Sequence, residues 1–219
     1  MQPYFYPYAG YFRLLVAADV FVIYDCVQFP RRGRVHRCEV PGQGGRPQWL
    51  TLPLMRQPRS TLIRELSFAA GAPAELDRRI VRLGWLAAAQ GPVAEIIRQS
   101  LRISGPCVCD YLEHQLRLVA SILGFQPEFR RSSGLAIPAD LCGQDRVIAI
   151  ARAVGGTHYV NAPGGRDLYR REAFLAAGIE LGFLAPYGGP FRYMLQALTC
   201  EDPLRISRDI RQSSMIEPA

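Results

Sequence analysis

The sequence predicts one α/β domain with a mixed or largely parallel sheet flanked by helices, and three observations carry that expectation. The later part of the chain alternates helix, strand, helix, strand ("QDRVIAIARAVGG" 144–156, "THYVNAP" 157–163, "GGRDLYRREAFLAAG" 164–178, "IELGFLAP" 179–186), the order that parallel pairing through a crossover produces. The run "VFVIYDCV" (20–27) is continuously apolar and β-branched up to Tyr24, which reads as a strand buried on both faces. Helical periodicity fills about 70–125. With 219 residues and 49% hydrophobic composition, a single domain spanning 1–219 with a helical insert can bury a core without disulfides or metal.

Taken in order, "GYFRLLVAAD" (10–19) reads as a short helix leading into the 20–27 strand, and "FPRRGR" as a basic loop. "VHRCEV" (35–40) alternates, with Val35, Arg37 and Glu39 on one face and His36, Cys38 and Val40 on the other. After the turn "PGQGGRP", "QWLTLPL" (48–54) reads as a third strand. These three runs suit a meander or hairpin system. Helices follow at 73–90, 92–101 and 106–124, the last with Tyr111, Leu112, Gln115, Leu116, Val119, Ile122 and Leu123 on one stripe and Gly124 as its cap. His114 falls on the polar flank of that helix, a solvated position. The last thirty residues show no regular pattern.

Charge narrows the chemistry. The net charge is +7 and there is no lysine, so every cation is an arginine. That excludes a P-loop lysine, a Schiff-base lysine and a lysine base. Arginine favours bidentate recognition of phosphate or carboxylate, which suits a nucleotide, CoA or a phosphopantetheine. No nucleic-acid motif is recognisable, so nucleic acid is not an expected partner. The six cysteines are scattered, and Cys107 and Cys109 form the only close pair. They read as reduced thiols of a cytoplasmic protein, and no metal site is expected. No apolar stretch is long enough to span a membrane, and no signal peptide is recognisable. The start "MQPYFYPYAGYF" is abrupt, as though a short first strand preceded it.

Four stretches hold candidate site residues. Cys26 ends the buried strand, where catalytic groups emerge at a sheet rim. If the 29–34 loop folds the next strand back beside the first, His36 becomes its neighbour and a base for the thiol. Asp25 faces away from Cys26 in a regular strand and orients the histidine only through a bulge or twist. The plain structural alternative is a buried apolar thiol beside a strand histidine. In the N-terminal stretch, Gln2, Tyr4 and Tyr11 surround a glycine at a strand-to-helix turn, which lets a ligand approach backbone donors; an aromatic cluster packing the sheet edge explains the same residues. His158, Asn161, Gly164 and Gly165, with Arg166 beside them, offer an anion site at a helix start or a plain turn. Gln28, Arg31 and Arg32 adjoin the thiol, where the arginines suit CoA phosphates or an acidic carrier-protein surface, or simply a solvated loop.

Three motifs taken together, "MQPYFYPYAGYFRLL", "FVIYDCVQFPRRG" and "GGTHYVNAPGGRDLY…F…GIELGFL", resemble the WbqC-like protein family. The resemblance implies a setting in surface-polysaccharide or natural-product biosynthesis, with transfer of an acyl or aminoacyl group to an amine as the role. The chain departs from the family pattern at Cys26, where a second acid is usual, and at His36, where asparagine is usual. Both departures introduce groups used in thiol catalysis. The leading expectation is therefore an acyl- or aminoacyltransferase with Cys26 as nucleophile. An acyl or peptidyl carrier protein, or CoA, would present the thioester, and a small amine would accept the acyl group. No tightly bound cofactor is expected. The alternatives are a non-thiol transferase or ligase acting on a nucleotide-linked amino sugar through Asp25 and Asn161, or a binding protein without turnover. The layout also resembles nucleotidylyltransferases, but their histidine-rich turn is missing here.

Overall fold

The computed structural model describes residues 1–219, apart from the side chain of Gln43. Helix α1 (Ala9–Val16) leads into strand β1 (Val20–Ile23), followed by β2 (Arg37–Pro41) and β3 (Pro47–Thr51). Four helices follow: α2 (Ala72–Val81), α3 (Gly84–Ala88), α4 (Pro92–Ser100) and α5 (Val108–Ile122). The chain continues through β4 (Glu128–Arg131), α6 (Gly143–Ala153), β5 (His158–Asn161), α7 (Arg171–Ala176) and β6 (Glu180–Leu184). It ends with α8 (Met194–Cys200), α9 (Pro203–Gln212) and β7 (Ile216–Pro218).

The α/β class is as expected, but the strands form three small sheets rather than one. β1 pairs in parallel with β4, β2 pairs antiparallel with β3, and β5 pairs in parallel with β6, which carries β7 antiparallel. The expected hairpin of the first two strands does not form. β1 takes a partner more than a hundred residues away, with Ile23 opposite Arg131, and the basic loop carries the chain off to a separate ribbon. The helix expected over 73–90 is broken after Val81: Arg82 still has helical dihedrals, but Leu83 leaves helical geometry (φ −90°, ψ 74°) and α3 restarts at Gly84. The last thirty residues are not irregular. α8 buries Met194, Leu195, Ala197 and Leu198, and α9 buries Ile206 and Ile210.

Most of the molecule shares one core, in which α1, β1, the β2–β3 ribbon, α5, α8 and α9 meet. Arg13 is the unexpected member of α1. It is 1% exposed, and its guanidinium donates to the carbonyls of Ser213 and Ala185, 2.7 Å each. A buried cation is tolerable when its donors are spent, and here they tie the first helix to the ends of β6 and α9. A second, smaller core of Val147, Phe174, Ile179, Leu181 and Phe183 lies under β5–β6. Tyr6 has a positive φ of 39°, a strained conformation for a bulky residue. It is held by burial of its ring and by a 2.6 Å hydrogen bond from its hydroxyl to Ser100.

Candidate functional site

Parallel pairing brings the carboxyl ends of β1 and β4 side by side. β1 runs out into Tyr24-Asp25-Cys26, and β4 into Ser132-Ser133. Asp25 is fully buried. Its Oδ1 accepts from the Ser132 hydroxyl at 2.8 Å and the Ser133 amide at 2.9 Å, and its Oδ2 accepts from the Ser133 hydroxyl at 2.6 Å. The Cys109 thiol of α5 stands 4.0 Å from Oδ2. The Asp25 carbonyl accepts the Arg64 amide at 2.9 Å.

Cys26 is partly exposed. Its Sγ lies 2.9 Å from Ser132 Oγ and 3.2 Å from Arg146 Nη2. Ser132 has one hydroxyl proton, and Asp25 Oδ1 receives it. The Ser132 oxygen accepts the Asp25 and Cys26 amides at 3.2 and 3.4 Å and, its own proton being given to Asp25, meets the thiol as an acceptor too, so the chain of donors runs from Cys26 S–H through Ser132 O–H to the Asp25 carboxylate. Arg146 comes from the first turn of α6. Its Nη1 anchors on the carbonyls of Leu141 and Pro138, at 3.1 and 3.3 Å, while its buried Nε has no partner among the described residues. The Tyr24 phenol adjoins the same cluster and is pushed up to about 12, chiefly by burial and then by the nearby Cys26 thiol, so it stays protonated at neutral pH. Tyr24 also lines a crevice of about 350 Å³ between β1, β5 and the C-terminal half of α6. Cys26 stands beside that crevice rather than in its wall.

His36 is not part of this cluster. The β1–β4 pairing leaves residues 27–36 to cross to the other ribbon, and the imidazole packs edge-to-face on Phe29 with ring centroids 5.0 Å apart. Its buried Nδ1 has no hydrogen-bond partner among the described residues. Burial, and then the Arg37 charge, lower its pKa to about 4. At neutral pH it is an uncharged ring apart from the thiol, and the expected Cys26–His36 pair is not formed.

The other residues singled out from the sequence are dispersed. Tyr11 is buried in the main core, with its hydroxyl donating to the Gln2 carbonyl at 2.8 Å and the Tyr4 ring tilted against its own, centroids 5.3 Å apart. That is the packing arrangement rather than a ligand surface. Gln28 donates to the Arg59 carbonyl at 2.7 Å, and Arg31 to the Gln57 carbonyl; Arg32 is exposed. His158 is exposed, 3.4 Å from Glu180. Asn161 Oδ1 accepts the Ala162 amide at 2.8 Å. A Cβ on Gly165 would stand 2.6 Å from Asn161 Nδ2, so that amide would have to move to admit one, whereas Gly164 is open. The glycines do not open the long helix expected over 164–178. A 3₁₀ segment, Pro163–Leu168, intervenes before the short α7. Arg166 is committed to Glu217 and to the Phe183 ring, 5.0 Å away. The anion site expected at this turn has lost its helix terminus and its free cation.

Sequence reasoning missed Ser132, Ser133 and Arg146, which complete the cluster. β4 is charged and half exposed ("EFRR"), so it carries no apolar run, and nothing local marks the serines after it. Arg146 was legible only as one more helical arginine.

A family model described as the WbqC-like protein family matches residues 2–196. No curated protein and no solved structure matches the chain.

Proposed function

We propose that this chain, a member of the WbqC-like protein family, is an acyl- or aminoacyltransferase that carries the acyl group on Cys26 from a thioester donor to an amine. The observation that supports this reading is the Cys26–Ser132–Asp25 hydrogen-bond chain, with the Arg146 guanidinium 3.2 Å from the sulfur. It supplies what the histidine was expected to supply. As Cys26 Sγ attacks the thioester carbonyl, the thiol proton passes to Ser132 Oγ while the Ser132 proton passes to Asp25. Arg146 faces the charge on sulfur. The carbonyl–sulfur bond of the donor breaks, and the departing thiolate takes the proton that the relay had passed to Asp25, which leaves the carboxylate as it began. An amine then attacks the Cys26 thioester, an amide forms, and the amine's extra proton returns to the Cys26 sulfur.

A non-thiol reading built on Asp25 has less support, because the carboxylate is 0% exposed and its hydrogen bonds all point inward. Among the described residues no helix is long and apolar enough to cross a membrane.

The test is intact-protein mass after incubation with acyl-CoA or small acyl thioesters. The expected result is one acyl group on Cys26, slowed about 10²-fold or more in Ser132→Ala, as loss of a proton-transfer route requires, and unchanged in His36→Gln. Absence of any adduct, with acyl transfer intact in Cys26→Ala, overturns the proposal.

A further inference from the structure

The charge of this protein is concentrated in one stretch. Residues 28–65 hold eight arginines against two acids, Glu39 and Glu65. Six of the seven net positive charges therefore sit in a segment of thirty-eight residues. The acids do not neutralise it. Glu39 is shared by Arg34 and Arg192 at 2.9 and 2.8 Å, and Glu65 caps the turn at Leu62. Arg32, Arg56, Arg59 and Arg64 are exposed, and none has a side-chain hydrogen bond or ion pair among the described residues.

Arg59 and Arg64 belong to a segment that borders the thiol-bearing chain. Segment 59–65 lies along the chain leaving β1, with the Thr61 carbonyl accepting from Phe29, and the Ile63 and Arg64 amides donating to the carbonyls of Val27 and Asp25. Met55, 50% exposed, lies in the same stretch and gives it an apolar element. A stretch that presents exposed arginines together with a solvent-facing methionine matches the make-up of a protein-docking patch. The features that nucleic acid would use are poorly supplied. Trp49, the large exposed aromatic of the stretch, already has the Arg37 and Arg34 guanidiniums over its ring at 4.3 and 5.1 Å, which competes with base stacking.

We infer that this surface docks the acidic face of a thioester-bearing carrier protein and so delivers the acyl group to Cys26. The inference rests on the transferase reading for its purpose, but its test does not depend on the thiol chemistry. Opposite charges steer encounter and fix orientation, and docking here would leave the carrier's flexible thiol arm beside the carboxyl end of β1.

The experiment measures binding of a holo-acyl carrier protein with an acidic recognition helix to the full chain carrying Cys26→Ala, so that no covalent step contributes. Binding is expected at low salt and should fall as ionic strength rises. The double variant Arg59→Glu/Arg64→Glu should weaken it by about tenfold or more. Arg205→Glu/Arg208→Glu on α9, which packs at the Leu123 end of α5, opposite the Cys109 end beside Asp25, should leave it in place, and circular dichroism confirms that each variant is folded. No binding at low salt, equal binding by the Arg59/Arg64 variant, or tighter binding of a single-stranded RNA of matched charge each overturns the inference. If the carrier docks while acyl thioesters never label Cys26, the surface stands and the transferase reading falls.

Discussion

Two substitutions at Asp25 separate what its carboxylate does for the fold from what it does for the thiol. Asp25→Ala removes an acceptor that serves three donors, the two serine hydroxyls and the Ser133 amide. Each hydrogen bond to a charged group contributes about 1.5–3 kcal/mol, so the gross loss is large. Against it stands the cost of keeping an ionised carboxylate out of water, several kcal/mol that the alanine no longer incurs. The hydroxyls can turn to other acceptors, but a stranded amide costs about 1–3 kcal/mol, and the small cavity adds to it. The expected net loss is about 2–4 kcal/mol by urea denaturation. Asp25→Asn keeps an acceptor oxygen for Ser132 and the Ser133 amide, and its amide group can donate to the Ser133 hydroxyl. Its stability should fall by less than about 1.5 kcal/mol. A carboxamide cannot take a proton from Ser132, however, so acylation of Cys26 should drop about 10²-fold or more in a protein that remains folded. Wild-type acylation in folded Asp25→Asn would refute the relay, and an Asp25→Ala loss below about 1 kcal/mol would refute the structural part.

Two further outcomes follow from groups outside the thiol cluster. His36 is held near 4 in the folded state against 6.5 for a free imidazole, so the folded protein binds fewer protons than the unfolded chain between those values. The stability from its neutral form is complete above pH 6.5 and is lost as pH falls toward about 4; the acid-side decline in denaturation free energy should be shallower in His36→Gln, and parallel curves would count against it. Arg13→Met leaves the Ser213 and Ala185 carbonyls without their donors and should cost about 3–4 kcal/mol in urea, whereas the exposed Arg152→Met should cost less than about 1 kcal/mol.

The sequence announced elements whose burial is regular. β1 is apolar along its length, α5 carries its stripe from Tyr111 to Val119, and glycines punctuate the units around β5 and β6. Pairing was harder to read, because a strand's pattern shows how deeply it is buried and not which strand lies beside it. β1 looked ready for a hairpin, and its true partner is a strand with two exposed glutamate and arginine positions. The placement of His36 turned on that one choice. The C-terminal helices were missed for a different reason. α9 has just three buried positions in ten residues, too sparse for an apolar stripe to stand out. Its start was nonetheless marked, since Asp202 accepts the Leu204 amide at 3.0 Å and Pro203 occupies the first turn.

The Arg13 tie also bears on the order in which the molecule can be assembled during synthesis. The guanidinium belongs to the first helix, and one of its acceptors lies 200 residues further along the chain. A ribosome adding about 5–20 residues each second exposes α1, with its buried phenylalanine, tyrosine and leucines, for roughly ten seconds or longer before Ser213 exists. The β1–β4 pairing must wait for about half that interval. Contacts of such long range are slow to close even in a complete chain, so the nascent N-terminal third is the stretch with the most need of a chaperone.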